Sequence, residues 1–350
     1  PLDFIQIKLI IVGKEKEITI VDGNGETVII RKPVKRLIVM YSDSAAVLRA
    51  LDAKDKIVGI GKSIQDEEVY FPELSKLPSV GSSWNIDYEA ILTLNPDVLL
   101  TFIDWDNEKK EKLPGVTVIY LSIMFPENLI DGERKLGYVL DKEDEAEEFI
   151  NWYNGHMDNI KARTKELSDD EKPRVFIGSW SYGISVGKYL TVGKGNRLHQ
   201  MCVIAGGKNI AEDLSFTGWG PIVDPEWVIE QNPDIILVET WNAYYPCSCG
   251  YGEDDPSEMV AGREKVLNRP ELANVAAVKN RSVYMMDLHD LMTGPNHLMG
   301  TAYLAKWFHP ELFEDLDPKQ IHQDYIDRFC TGLDYDLDEH GVFVYPSLES

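Results

Sequence analysis

Asp87-Tyr-Glu-Ala-Ile-Leu-Thr-Leu-Asn-Pro-Asp97, followed by the apolar run VLLTF, has a counterpart later in the chain. Asp224-Pro-Glu-Trp-Val-Ile-Glu-Gln-Asn-Pro-Asp234 leads into IILVE at a constant offset of 137 residues (87 to 224, 89 to 226, 97 to 234). Asn-Pro-Asp has a mechanical reading: asparagine stops a helix, and proline turns the chain into the next strand. Its repeat inside a longer matched pattern points to two lobes of similar design.

Outward from this element the pattern is strand–helix alternation. Ile18–Arg31 alternates apolar and polar residues around Asp22-Gly-Asn-Gly25, which predicts two strands joined by a tight turn. Lys35–Met40 (KRLIVM) reads as a strand buried on both faces, and Tyr41-Ser-Asp43 opens a helix over Ser44–Leu51. Further strands are predicted at Asp97–Phe102, Val116–Leu121, Arg174–Gly178, Asp234–Val238 and Ser282–Asp287. Helices fall between them, and two more are predicted near His297–Phe308 and Pro318–Phe329. The alternation is that of parallel α/β sheets. From Lys142 to Leu167 the rhythm changes. Ala146, Phe149, Ile150, Tyr153, Met157, Ile160, Thr164 and Leu167 recur at three- and four-residue steps, the apolar face of one long helix. At about 1.5 Å per residue it would span roughly 39 Å, a length suited to a strut between lobes.

The 350 residues carry 35 basic and 59 acidic side chains, a net charge of −24. A charge this negative, with no basic tract, argues against nucleic acid or an anionic membrane as partner. No run approaches the roughly 20 apolar residues of a bilayer span. Cys202, Cys247, Cys249 and Cys330 are too few and too scattered for a disulfide framework. They do not fix the compartment.

The strand-and-helix run KRLIVMYSDSAAVLRALDAKDKIVGIG, the two Asn-Pro-Asp units, the long helix, GNRLHQMCVIAGGKN at Gly195–Asn209 and the stretch Arg269–Phe313 together resemble one family. It is the substrate-binding proteins of iron-siderophore and vitamin B12 ABC importers. The resemblance implies two Rossmann-like α/β lobes joined by one long helix, with limited closure. Its boundaries would be 18–141 for the first lobe, 142–170 for the joining helix, 171–331 for the second lobe with its terminal helices, and 332–350 for a tail. Residues 1–17 would be the remnant of an upstream segment, weakly similar to the last helix of a dockerin-like module found on some archaeal members. The resemblance also implies an extracytoplasmic protein, monomeric and anchored through a segment outside this sequence. It would serve a permease dimer with its ATPase, with no intrinsic cofactor and no catalysis.

In an α/β lobe, ligands sit beyond the carboxyl ends of the strands. The loops there carry Tyr41, Trp84, Trp105, Phe125, Trp180, Tyr182, Trp219, Trp241, Tyr244, Tyr245 and His289 as candidate ligand contacts. So many aromatic residues suit a large flat or greasy ligand. Trp152, Trp227 and Trp307 sit on predicted helices and read as core. The same loops contain no Lys or Arg, which favours a neutral or cationic ligand such as a ferric hydroxamate-like siderophore or a corrinoid. Lys188, Lys194 and Arg197 lie just beyond one loop. By position in the family, Trp84 and Trp219 match cleft tryptophans, and Glu89 and Glu226 match glutamates that dock onto the permease. Glu89 and Glu226 also suit a helix N-terminus on charge alone. Three alternatives stay open: a free metal-ion binder, a haem binder of the same fold, and a chelatase- or nitrogenase-like enzyme. The enzyme has no nucleotide, hydrolase or metalloprotease motif behind it.

Overall fold

Alternating and continuous apolar runs fold as their periods require. In a computed structural model, residues 8–12, 15–102, 107–179, 188–216, 220–240 and 248–348 are described. The backbone divides into two units, Pro1–Tyr153 with Tyr325–Asp334, and Asn154–Asp324 with Tyr335–Ser350.

In the first unit, β1 (Lys8–Val12), β2 (Glu15–Val21) and β3 (Thr27–Lys32) form an antiparallel sheet in that order. The predicted turn between β2 and β3 is closed by the Asp22 carboxylate, which accepts from the backbone N–H of Asn24 at 2.9 Å and Glu26 at 3.0 Å. The chain then runs through β4 (Leu37–Val39), α1 (Ser42–Ala50), β5 (Ile57–Ile60) and α2 (Lys62–Gln65). A short ribbon, β6 (Gly81–Ser82) and β7 (Asn85–Ile86), delivers it into α3 (Tyr88–Thr93). After these come β8 (Val98–Thr101), α4 (Asn107–Glu111), β9 (Thr117–Tyr120) and α5 (Pro126–Leu140). Strands β4, β5, β8 and β9 form a parallel sheet in the order β5-β4-β8-β9. The predicted long helix is α6 (Glu143–Thr164), and the division between units falls inside it, after Tyr153.

The second unit repeats the plan. Its elements are β10 (Arg174–Ser179), β11 (Tyr189–Leu190), α7 (Arg197–Ile204), β12 (Lys208–Asn209), β13 (Ile222–Val223), α8 (Pro225–Gln231) and β14 (Ile235–Thr240). There follow α9 (Ser257–Leu267), α10 (Ala276–Lys279), β15 (Val283–Asp287), α11 (Leu288–Leu291), α12 (His297–Phe308), α13 (Pro318–Phe329) and β16 (Val344–Tyr345). The sheet order is β12-β10-β14-β15-β16, with all pairs parallel except the last. In both parallel sheets the first strand in chain order lies between the second and the third.

The duplicated Asn-Pro-Asp makes the same joint twice. Asn95 and Asn232 end their helices in the left-handed region, at φ 45° and 44°, which asparagine tolerates. The Asp97 carboxylate accepts from the backbone N–H of Lys35 at 2.7 Å and Arg36 at 2.9 Å, at the start of the neighbouring strand. Arg36 in return donates to the Leu94 and Asn95 carbonyls at the helix end. In the second unit Asp234 accepts from Arg174 N–H at 2.9 Å, and Arg174 donates to the Gln231 carbonyl at 2.8 Å. These carbonyls would otherwise lack intrahelical partners.

The terminal segments belong to both units. Tyr325–Asp334 groups with the first unit, whereas the sequence places 171–331 together. The cause is aromatic packing: Trp152 of α6 lies 5.9 Å from Tyr325 and 5.1 Å from Phe329, ring centre to ring centre. Arg49 adds a hydrogen bond to the Cys330 sulfur at 3.0 Å. The tail from Tyr335 packs on the second unit. Tyr335 Oη donates to the Tyr251 carbonyl at 2.8 Å, and Tyr251 Oη lies 2.7 Å from His322 Nε2. Trp152 and Trp307 are buried, as core residues should be, and Trp307 stacks on Tyr284 at 4.4 Å.

One acid departs from the solvated face that its helix position suggests. Glu133 of α5 is fully buried, and among the described residues neither carboxyl oxygen has a hydrogen-bond partner. Burial therefore raises its pKa well above the ordinary value and holds it neutral. The unfolded chain ionises this group above about pH 4.3, so the folded state is penalised increasingly as pH rises past that point. Glu133→Gln, which mimics the neutral acid, should raise the unfolding temperature at pH 7 and leave it unchanged near pH 3.5. An unchanged melting curve at pH 7 would refute the buried-acid account. His322 has the opposite sign. Burial lowers its pKa to about 3, so it stays neutral in the fold while the unfolded chain protonates below about pH 6.5. Stability is then fully present above pH 6.5 and lost as pH falls. In denaturant titrations His322→Asn should flatten the acid limb by up to about 1.4 kcal/mol per pH unit.

Candidate ligand site

The order of the parallel strands decides where a ligand can reach each unit. Where the second strand lies on one side of the first and the third on the other, the connections leave in opposite directions. A crevice opens beyond the carboxyl ends of the first and third strands. In the first unit these are β4 and β8.

Tyr41 lies one residue beyond β4, after Met40, in an extended conformation at φ −147° and ψ 149°, and occupies the N-cap position of α1. Phe102 follows β8. Their half-buried rings meet at 4.3 Å between centres, tilted by 42°. Sequence reasoning singled out Tyr41 and passed over Phe102. Its place immediately after an apolar strand was the available signal. Beside Tyr41, the Ser42 hydroxyl donates to the Glu67 carboxylate. Glu67 was missed as well. It sits in an acidic stretch after α2, and nothing in its spacing ties it to α1. Phe125 follows β9 and caps α5, half-buried.

Trp84 behaves differently from the other described candidates. It lies at the turn of the β6–β7 ribbon with 79% of its surface exposed, the most open large apolar side chain among the described residues. Glu89 and Glu226 are exposed in the first turns of α3 and α8.

In the second unit the corresponding strands are β10 and β14. The stretches after them, with Trp180, Tyr182, Trp241, Tyr244 and Tyr245, lie outside the described residues, as do Trp105 and Trp219. The described part of this end is the corner after β15. Asp287 is 2% exposed, and its Oδ1 accepts from the backbone N–H of His289 at 2.8 Å and Asp290 at 3.3 Å, which starts α11. Burial, then the neighbouring Cys249 and Asp290, raise its pKa well above the carboxylate range. Asp290 receives the Tyr251 N–H at 3.1 Å through one oxygen and faces His289 Nδ1 at 3.3 Å through the other. His289 is half-buried. His297, also in a loop that sequence reasoning turned toward the ligand, is fully buried at the start of α12, and burial lowers its pKa to about 3.

The basic residues near this end differ in their pairing. Lys188 lies 3.4 Å from the Asp224 carboxylate, both well exposed. Arg197 opens α7 half-buried, and its Nε is buried without a hydrogen-bond partner among the described residues. A cation at a helix N-terminus faces the unfavourable end of the dipole.

Comparison with known proteins agrees with this architecture. The family model for periplasmic binding proteins matches residues 37–288, more than half of the chain. The uncharacterized ABC transporter substrate-binding lipoprotein YvrC of Bacillus subtilis is 26% identical over 308 residues, covering 85% of this chain and 87% of its own. The molybdate-binding protein MolA of Haemophilus influenzae is 24% identical over 341 residues, covering 89% and 90%. Among solved structures, the TroA-like periplasmic binding protein FepB from Veillonella parvula superposes with a TM-score of 0.77 at 26% identity, covering 93% of this chain and 98% of its own. The two parallel sheets share one strand order, and in the first unit the Tyr41–Phe102 pair stands at the carboxyl ends of β4 and β8. This chain belongs to the periplasmic binding protein family and is a solute-binding protein, not an enzyme.

Proposed function

We propose that this protein captures a metal chelate, a ferric hydroxamate-type siderophore or a corrinoid, and delivers it to the permease dimer of an ABC importer outside the cytoplasm. The observation that carries the reading is the Tyr41–Phe102 ring pair at the crevice between β4 and β8. Two aromatic faces at that place offer stacking surface for a large planar or apolar ligand. Trp105, Trp180, Tyr182, Trp219, Trp241, Tyr244 and Tyr245 extend the same chemistry in the sequence, and Trp84 and Phe125 add to it. His289 is the candidate polar contact. Among the described residues no helix is long and apolar enough to cross a membrane.

A second reading has one observation in its favour. Among the described residues the Arg197 Nε has no hydrogen-bond partner, and an oxyanion would relieve its placement at the start of α7. MolA, named for molybdate, makes that ligand class concrete.

Tryptophan fluorescence titration separates the readings. Ferric hydroxamates, cobalamin, cobinamide, haem, molybdate and free divalent ions are the panel. A response to a hydroxamate or a corrinoid is expected, and Tyr41→Ala should weaken it by about tenfold, the loss of one good aromatic contact, with little change in melting temperature. A response to molybdate alone, abolished by Arg197→Ala, would replace the chelate reading with the oxyanion one. Delivery is tested separately. Glu89→Lys combined with Glu226→Lys should abolish uptake while the chelate affinity of the purified protein stays unchanged, and normal uptake would sink the docking role.

A further inference from the structure

The repeated element allows the chain to be compared with itself. Of the eleven positions from Asp87 to Asp97, four have diverged from their counterparts 137 residues later: Tyr88, Ala90, Thr93 and Leu94 face Pro225, Trp227, Glu230 and Gln231. Seven keep their chemistry, and the fold explains five of those. Asp87 and Asp224 occupy the N-cap positions. Ile91 and Val228 are fully buried. The Asn-Pro-Asp residues make the joint already described.

Two retained pairs are left over. Glu89 and Glu226 are exposed, and among the described residues their carboxylates accept no capping bond. Leu92 and Ile229 are 41% and 38% exposed, although an aliphatic side chain in water stabilises nothing. Each lies three residues after its glutamate, on the same face of a short helix. A further exposed apolar side chain stands on the ribbon that leads into each helix, Trp84 in the first unit and Ile222 at 62% exposure in the second. A lone exposed leucine would need no explanation. The same chemistry, at the same register and nearly the same exposure in both units, does.

We infer that Glu89 with Leu92, and Glu226 with Ile229, are two copies of one docking contact: a carboxylate beside an aliphatic side chain, seated on a surface that pairs a basic group with an apolar pocket. The partner presents that surface twice, as a symmetric dimer of membrane subunits does. This rests on the importer reading and adds an apolar half to the contact. A second copy of this chain is disfavoured as occupant, because it would bring acid to acid on a molecule of net charge −24. The carboxylates steer the approach, and the aliphatic side chains, desolvated on contact, slow dissociation.

The experiment uses the full chain and the permease–ATPase complex, in nanodiscs, from a strain whose uptake of ferric hydroxamate or cobalamin depends on this protein. Affinity for the complex is measured for Leu92→Ser and Ile229→Ser, alone and together, for the Glu89→Lys/Glu226→Lys pair, and for Val203→Ser. Val203 is exposed at 49% and lies outside the repeat, so it reports the generic effect of removing surface apolar area. Each single serine should weaken binding by about fivefold and the pair by about twentyfold or more, as burial of two aliphatic groups implies, while Val203→Ser binds as the parent does. Chelate affinity should be equal in all of them. If the lysine pair abolishes binding and the serine variants bind normally, the apolar contact is wrong and the importer reading stands. Loss at only one of the two positions overturns the two-copy claim. If the lysine pair binds normally, the docking reading itself fails. A concentration-dependent dimer of the isolated chain, lost in the serine variants by analytical ultracentrifugation, would assign the surface to self-association and overturn the inference.

Discussion

In each unit one carboxylate holds the sheet in register: Asp97 in the first, Asp234 in the second. Each grips the backbone of the neighbouring strand at its entry, while the arginine there, Arg36 or Arg174, grips the end of the helix just completed. The joint fixes the first strand in chain order beside the third, β4 against β8 and β10 against β14. That adjacency creates the crevice at the opposite ends of the same strands. A helix end bonded to the chain in this way cannot slide without breaking several charge-assisted hydrogen bonds, which are stronger than neutral ones. The crevice therefore depends on a joint at the far end of the strands.

Much of this was legible because the determinants are local. Lys35–Met40, Asp97–Phe102 and Asp234–Val238 are apolar runs, and each contains or overlaps a central strand. The three- and four-residue steps of Ala146, Phe149, Ile150 and Tyr153 became the buried face of α6. The hidden features are long-range. β16 pairs with β15 across some sixty residues of chain, and Gly250 bridges to Val342 across ninety. No period in the tail announces either contact. Glu133 was unreadable for a related reason: a glutamate on a helix with mixed neighbours looks solvated until the packing around it is known. At the site, Tyr41 was marked by its position after a strand, but its pairing with Phe102 required knowing that β4 and β8 are adjacent. Trp84 was placed correctly ahead of its helix, and its exposure could not be read from that place alone.

The acid excess looks uniform in composition and is not uniform in structure. Asp22, Asp87, Asp97, Asp234 and Asp287 accept backbone N–H groups and set turns, helix starts and strand entries. Surface pairs such as Lys62 with Asp66 and Lys112 with Glu108 are exposed and contribute little. Glu89 and Glu226 belong to neither group. Among the described residues their carboxylates accept no hydrogen bond from their own helices, so their charge is available to whatever approaches.

A duplicated frame with unequal loops separates two demands that could otherwise conflict. Between its third and fourth parallel strands, the first unit spends the residues from Phe102 to Val116, the second those from Trp241 to Ser282, nearly three times as many. A ligand without two-fold symmetry needs such unequal surroundings. A symmetric partner needs the reverse, two matched surfaces. The short helices α3 and α8 supply matched surfaces because the joint at Asn-Pro-Asp fixes them to the strands and leaves the loops at the other end free to differ. Selectivity for a ligand can then change through loop residues, while the register of Glu89 and Leu92 on one helix, and of Glu226 and Ile229 on the other, stays as the frame sets it.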